Sequence, residues 1–163
     1  MGLEELREIE LVKGYHITHH SYVDLIGLLK AIPLWFNEMN YDFVESGLSE
    51  KDIGTGYELL SEWKAERKVT NYLKYKIDLT INAKDLRKIT LETGEETNWA
   101  RVLITIDVTF VKDAKGIYKP YGWDERFRKL YEKYIIPAKI KIYIGKCKGE
   151  FASLTNMVKS FLK

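Results

Sequence analysis

Residues 71–82 alternate almost without error. Leu73, Tyr75, Ile77, Leu79 and Ile81 fall on one side, and Lys74, Lys76, Asp78, Thr80 and Asn82 on the other. A period of two sends successive side chains to opposite faces of an extended strand, so this segment has one buried face and one wet face. A strand of a parallel sheet, covered on both faces, reads as a continuous apolar run instead. The segment therefore belongs to an antiparallel sheet with one side in water, and the other side must be covered by a second layer.

The flanking sequence extends the sheet. Residues 99–112 repeat the pattern with Val102, Ile104, Ile106, Val108 and Phe110 inward. A turn at 83–85, a strand at 86–92 and a turn at 93–96 connect the two runs. Residues 57–66 alternate through Tyr57, Leu59, Trp63 and Ala65, and 41–47 read as a short strand. The turn-rich stretches 46–56 and 113–122 are loops within one domain spanning residues 1–163. Residues 7–17 form a first strand, with Ile9, Leu11, Tyr15 and Ile17 on one face.

Helical spacing appears at both ends. Ser21 stands three residues before Asp24, a capping-box-like start, and Leu25, Ile26, Leu29, Ile32 and Phe36 follow. Pro33 predicts a kink or a second short helix. Phe127, Leu130, Tyr131, Tyr134 and Ile135 make an apolar stripe over 124–136, which Pro137 ends or bends. Residues 138–146 stay open between strand and helix, because Ile140, Ile142 and Ile144 alternate. Phe151, Leu154, Val158 and Leu162 share a final helical face. The fold class is α+β: an antiparallel β-meander of about five to six strands, packed on a kinked N-terminal helix and C-terminal helices.

This order of elements resembles the helix-grip fold of START-like and polyketide-cyclase-like proteins. In those, a first strand leads to two short helices, and a curved antiparallel sheet wraps a long C-terminal helix. The chain also resembles uncharacterised archaeal proteins with a Trp-containing strand, a meander and a final Lys-Ser-Phe-Leu helix end, here Lys159 to Leu162. The resemblance to the helix-grip fold implies an apolar cavity between sheet and helix that takes a lipid or another apolar small molecule. Its lining would come from Trp35, Phe36, Trp63, Tyr75, Ile77, Ile104, Ile106, Phe127, Tyr131 and Tyr134.

Composition narrows the class of function. The chain of 163 residues has one cysteine, so an internal disulfide or a multi-cysteine zinc site is excluded. Its start is acidic and lacks an apolar core, and no run is long enough to span a bilayer, which places the expected location in the cytoplasm with no transmembrane segment. Twenty lysines, three methionines and no glutamine are the composition of a protein that works hot. Charge is uneven: residues 1–50 carry a net −6 and residues 101–163 a net +8. The two ends are expected to neutralise one another in the fold.

Three chemistries compete with the cavity. His16, His19 and His20 fall within five residues and are candidate metal ligands, though without the spacing of a known zinc motif. Cys147, between Lys146 and Lys148, is a candidate nucleophile, against the more ordinary role of a packed thiol. Lys64, Lys68, Lys74 and Lys76, with Trp63 and Tyr72 near and Arg126, Lys129 and Lys133 on the helix at 124–136, suit a nucleic-acid groove. Glu58, Glu62, Glu66 and Asp78 dilute that charge. The cluster Trp35, Phe36, Tyr41 and Phe43 reads as core packing first and as a partner surface second. No catalytic set is visible and no cofactor is expected. The first reading is a non-enzymatic binder of an apolar small molecule or lipid. The second is a homo-oligomeric interaction or structural subunit, and the third an RNA- or DNA-associated protein.

Overall fold

The computed structural model of the chain describes residues 8–54, 56–70, 73–112 and 136–162, and the side chains of 136–140 lie outside the described set. The order is β1 (Glu8–Val23), α1 (Leu25–Glu38), β2 (Asp42–Asp52), β3 (Tyr57–Lys68), β4 (Leu73–Thr90), β5 (Glu96–Lys112) and α2 (Ile136–Ser160). The strands form one antiparallel sheet in the order β1-β5-β4-β3-β2. The α+β class and the meander expected from the alternation are present, with five strands among the described residues.

The chain leaves one edge of the sheet and re-enters at the other, with α1 between. Four interstrand gaps span about 19 Å. A helix of 14 residues is about 21 Å long, so α1 matches the width it must cross. Leu25, Leu28, Ile32, Trp35 and Phe36 are its buried residues. From α2, Cys147, Leu154 and Val158 enter the same cluster, beneath the inward residues of β3, β4 and β5. One side of the sheet thus meets both helices.

Length forces curvature. A straight strand of 18 residues, such as β4, would run about 60 Å, while a globule of 163 residues is about 40 Å across. Register shifts supply the bend: in β1 at 10–12 and 12–15, in β2 at 45–47 and in β4 at 83–87, where the extra residue breaks register with both β3 and β5. Each adds local twist.

Several expectations are corrected. β1 runs on past residue 17 to Val23, because β5 keeps offering ladder partners as far as Asn98. The helix begins one turn later than Ser21: Asp24 is the N-cap, its carboxylate accepting from the Gly27 amide at 3.0 Å. Pro33 lies inside one continuous helix rather than dividing two. β2 extends to Asp52, which leaves a short connection closed by Ile53 N donating to Gly56 O at 3.0 Å. The turn expected at 83–85 is a bulge, with Asp85 at φ 55°, inside a single long β4. Residues 138–146 are helical. The stripe Tyr143, Cys147, Glu150, Phe151, Leu154 and Val158 sets the period there, which three alternating isoleucines cannot outweigh. The stripe expected over 124–135 and the loop 113–122 lie outside the described residues. Among the described residues, no helix is long and apolar enough to cross a membrane.

Candidate functional site

The polar groups of the interior gather where the sheet meets α2. Their placement begins at the end of α1. Asn40 adopts a left-handed conformation, φ 61°, and Tyr41 N donates to Phe36 O at 2.8 Å, the Schellman closure of a helix. The turn drops Tyr41 into the core, 4% exposed. Its hydroxyl donates to Glu150 Oε2 of α2 at 2.8 Å.

Arg67 completes the cluster from β3. Counting inward positions from Leu59 gives Ser61, Trp63, Ala65 and then Arg67, so a guanidinium occupies the apolar face of the sheet. It pairs with Glu150 Oε1, and through Nη1 it donates to Met39 O at 2.8 Å, satisfying a carbonyl at the C-cap of α1. The Tyr41 and Tyr75 rings lie 5.0 and 5.3 Å from its carbon centre. Tyr75 is the cross-strand partner of Arg67, and its hydroxyl donates to Tyr143 O at 2.6 Å. Nearby, Trp35 Nε1 donates to Ser153 Oγ at 3.3 Å and Trp63 Nε1 to Ser61 Oγ at 2.8 Å. Three elements are therefore tied to α2 by polar contacts that an apolar core would lack.

Electrostatics fix the protonation of this cluster. Burial pushes the Tyr41 hydroxyl well above the ordinary tyrosine range, and the hydrogen bond and charge of Glu150 push it further. Burial likewise raises Tyr75, with Cys147 and Glu150 adding to it. The Cys147 thiol is pushed up to about 12, first by burial and then by Glu150. A reactive cysteine needs the opposite shift. The nucleophile reading of Cys147 is thus corrected: Lys146 and Lys148 flank it in sequence, but both are exposed while the thiol is buried.

Of the expected lining residues, Trp35, Phe36, Trp63, Tyr75, Ile77, Ile104 and Ile106 all fall in one buried cluster. Phe127, Tyr131 and Tyr134 lie outside the described residues. The aromatic group packs as a stack, with Trp35–Tyr41 centroids 5.8 Å apart and Phe36–Phe43 5.4 Å apart. Sequence reasoning missed Arg67 and Glu150. An arginine at an inward strand position was the available signal; Glu150 had none without its partner.

The histidines do not converge. Because β1 continues through them, His16 and His20 face away from the helices and His19 faces the other way. His19 Nε2 contacts Tyr22 O at 2.8 Å, and His16 Nδ1 contacts Gly14 O at 2.9 Å. No three potential metal ligands meet among the described residues.

The face of the sheet away from the helices carries mixed charge at one end. Lys74 pairs with Glu66 at 2.7 Å and Lys76 with Glu8 at 3.7 Å. A groove of about 440 Å³ there is lined by Asp42, Val44, Lys64, Glu66, Lys76 and Asp78 among others, with signs interleaved. Trp63 points to the opposite face, so it does not serve the basic stripe read around Lys64; Tyr72 lies outside the described residues. The chain matches no protein-family model, no curated protein and no solved structure.

Proposed function

We propose that this chain is a non-enzymatic binding module of helix-grip type. Its ligand is a small molecule with an apolar body and one polar end, held between the sheet and α2. The observation that carries this reading is the Arg67–Glu150 pair, bracketed by Tyr41 and Tyr75 on an otherwise apolar face. For stability alone, a hydrophobic pair of similar volume does as well as a buried ion pair or better. A few convergent polar groups among apolar residues are what orient a ligand in a pocket. The order strand, helix, meander and long final helix supports the same reading. So does apolar surface on the helix side of the sheet that stays exposed, at Leu48 and Tyr57.

The test is native mass spectrometry on protein taken gently from cells, beside the double variant Arg67→Met/Glu150→Leu, which keeps an apolar seam. The expected result is an extra few hundred daltons on the wild type, lost on denaturation and absent from the folded variant. A clean wild-type mass, together with no thermal stabilisation by fatty acids or aromatic carboxylates, sinks the proposal.

A second reading, a homo-oligomeric interaction subunit, draws on Ile26 and Leu34 of α1 and Ile142 of α2, all of them exposed. The same spectra decide it, since a dimer or higher assembly would appear directly.

A further inference from the structure

The face of the sheet away from the helices has a second, differently charged end. Cross-strand pairing aligns His20 with Arg101 and Arg101 with Lys84, while Tyr22 aligns with Trp99 and Trp99 with Arg87. The two rows are two residues apart on β5, about 7 Å. All six side chains face the same side, because the bulge at 84–87 skips two residues and restores the phase. The Arg87 guanidinium lies 4.6 Å from the Trp99 ring centroid. Arg101 Nε donates to Asp85 Oδ2 at 2.5 Å. No carboxylate pairs with Lys84 or Arg87 among the described residues, so three cations meet one carboxylate.

Beside the cationic row lies a groove of about 260 Å³, whose lining includes Thr18, His20, Asn82, Lys84, Arg101 and Leu103. Asn82 Oδ1 is buried there without a hydrogen-bond partner among the described residues. A buried acceptor left unpaired is uncommon and calls for a donor from elsewhere. The groove thus offers cations and a hydroxyl, next to a tryptophan ring.

We propose that this end of the sheet binds single-stranded nucleic acid, with a phosphate on the Lys84–Arg101 row and a base on the Trp99 row. Cations beside an aromatic platform are the two parts of a single-strand site, and the spacing of the rows is the reach of one nucleotide from phosphate to base. A duplex hides its base faces and leaves the ring unused. The site is distinct from the Lys64 end, where acidic residues cancel the charge, and it does not depend on the interior ligand.

The test is fluorescence anisotropy with a labelled mixed-sequence RNA of about 12 nucleotides, as single strand and as duplex. Salt is set at about 50 mM and about 200 mM. The wild type is expected to bind the single strand, more weakly at the higher salt. Lys84→Glu is expected to lose affinity by about tenfold or more and to lower the salt slope by about one. Trp99→Leu is expected to weaken binding about tenfold and leave the salt slope unchanged. Lys64→Glu, on the same face at the far end, is expected to bind as wild type. Lys84 and Lys64 are exposed, so both charge variants keep the fold, and circular dichroism checks this. The proposal is overturned by no binding at the lower salt, by a duplex that binds as tightly as the single strand, or by equal losses in Lys84→Glu and Lys64→Glu.

Discussion

Cys147 shows how burial decides chemistry. Its thiol is held protonated to about pH 12, against an ordinary value of 9.0. Three pH units remove about 99.9% of the thiolate at a given pH, so alkylation by iodoacetamide at pH 8 should run roughly a thousandfold slower in the native protein than in urea. Tyr41 and Tyr75 are raised for the same reason. All three groups are neutral when protonated, and the unfolded chain ionises first. Their contribution to stability is therefore complete below about pH 9 and falls as the pH climbs toward 12. Melting temperature should be flat up to that point and decline above it, and Cys147→Ala should make the decline shallower. Arg67 and Glu150 behave as a unit. Arg67→Met alone leaves a partly buried carboxylate without its cation, at an expected cost of about 2–3 kcal/mol; the double variant Arg67→Met/Glu150→Leu should lie within about 1 kcal/mol of wild type. Urea denaturation of the three proteins measures this, and a double variant as unstable as the single would contradict it.

Legibility differs from element to element. The inward set of β4 and β5 was readable because strict alternation has one physical meaning, and the residues named from it are buried. The bulge in β4 was not, since Asn82, Ala83, Lys84 and Asp85 carry the composition of a turn. Only β3 and β5, which pair with β4 on both sides of the interruption, keep it one strand. Gly56 belongs to the same feature: a Cβ there would sit 2.9 Å from both Asp85 C and Leu86 O. These are backbone atoms and cannot swing away. Gly56→Ala is expected to cost about 1–3 kcal/mol, read as a lower urea midpoint, by forcing the bulge outward. Gly54→Ala tests the turn by another route: open space surrounds its added methyl group, but its φ of 87° is one that alanine resists, so any loss there comes from backbone strain rather than from a clash. The start of α1 was misread for a different reason. Ser21 has the right spacing to cap, but the ladder to β5 claims it first. In α2, the alternating isoleucines leave strand and helix both open, because only tertiary packing reveals which stripe meets the sheet.

At the scale of the molecule, the two faces of the sheet divide the work. The helix side holds the core and the Arg67 cluster; the other side holds two grooves of unlike charge. The acidic first third was expected to neutralise the basic last third, most of whose cations lie outside the described residues. Among the described residues Glu8 reaches Lys76 in the middle of the chain, and Glu10 pairs with Lys13. That charge balance depends on register, which composition does not encode. One of the two edge strands, β2, carries Asp42, Glu45, Glu50 and Asp52 against a single cation, Lys51. Like charges along an edge oppose pairing with a second copy. Replacing Glu45 and Glu50 by valine is expected to raise aggregation, measured by light scattering at constant protein concentration.

The pairing of β1 with β5 also has a cost in time. Gly14 N donates to Asp107 Oδ1 across 93 residues of chain. At a synthesis rate of about 5–20 residues per second, the first strand waits roughly 5–20 s for the strand it will lie against. During that interval its ladder partner does not exist, so the pairing of β1 waits for β5. Its charged residues, Glu8, Glu10 and Lys13 at the outset, keep the waiting strand in water. The β2–β3–β4 part of the sheet can pair as it is made, and β1 joins only after β5 has emerged.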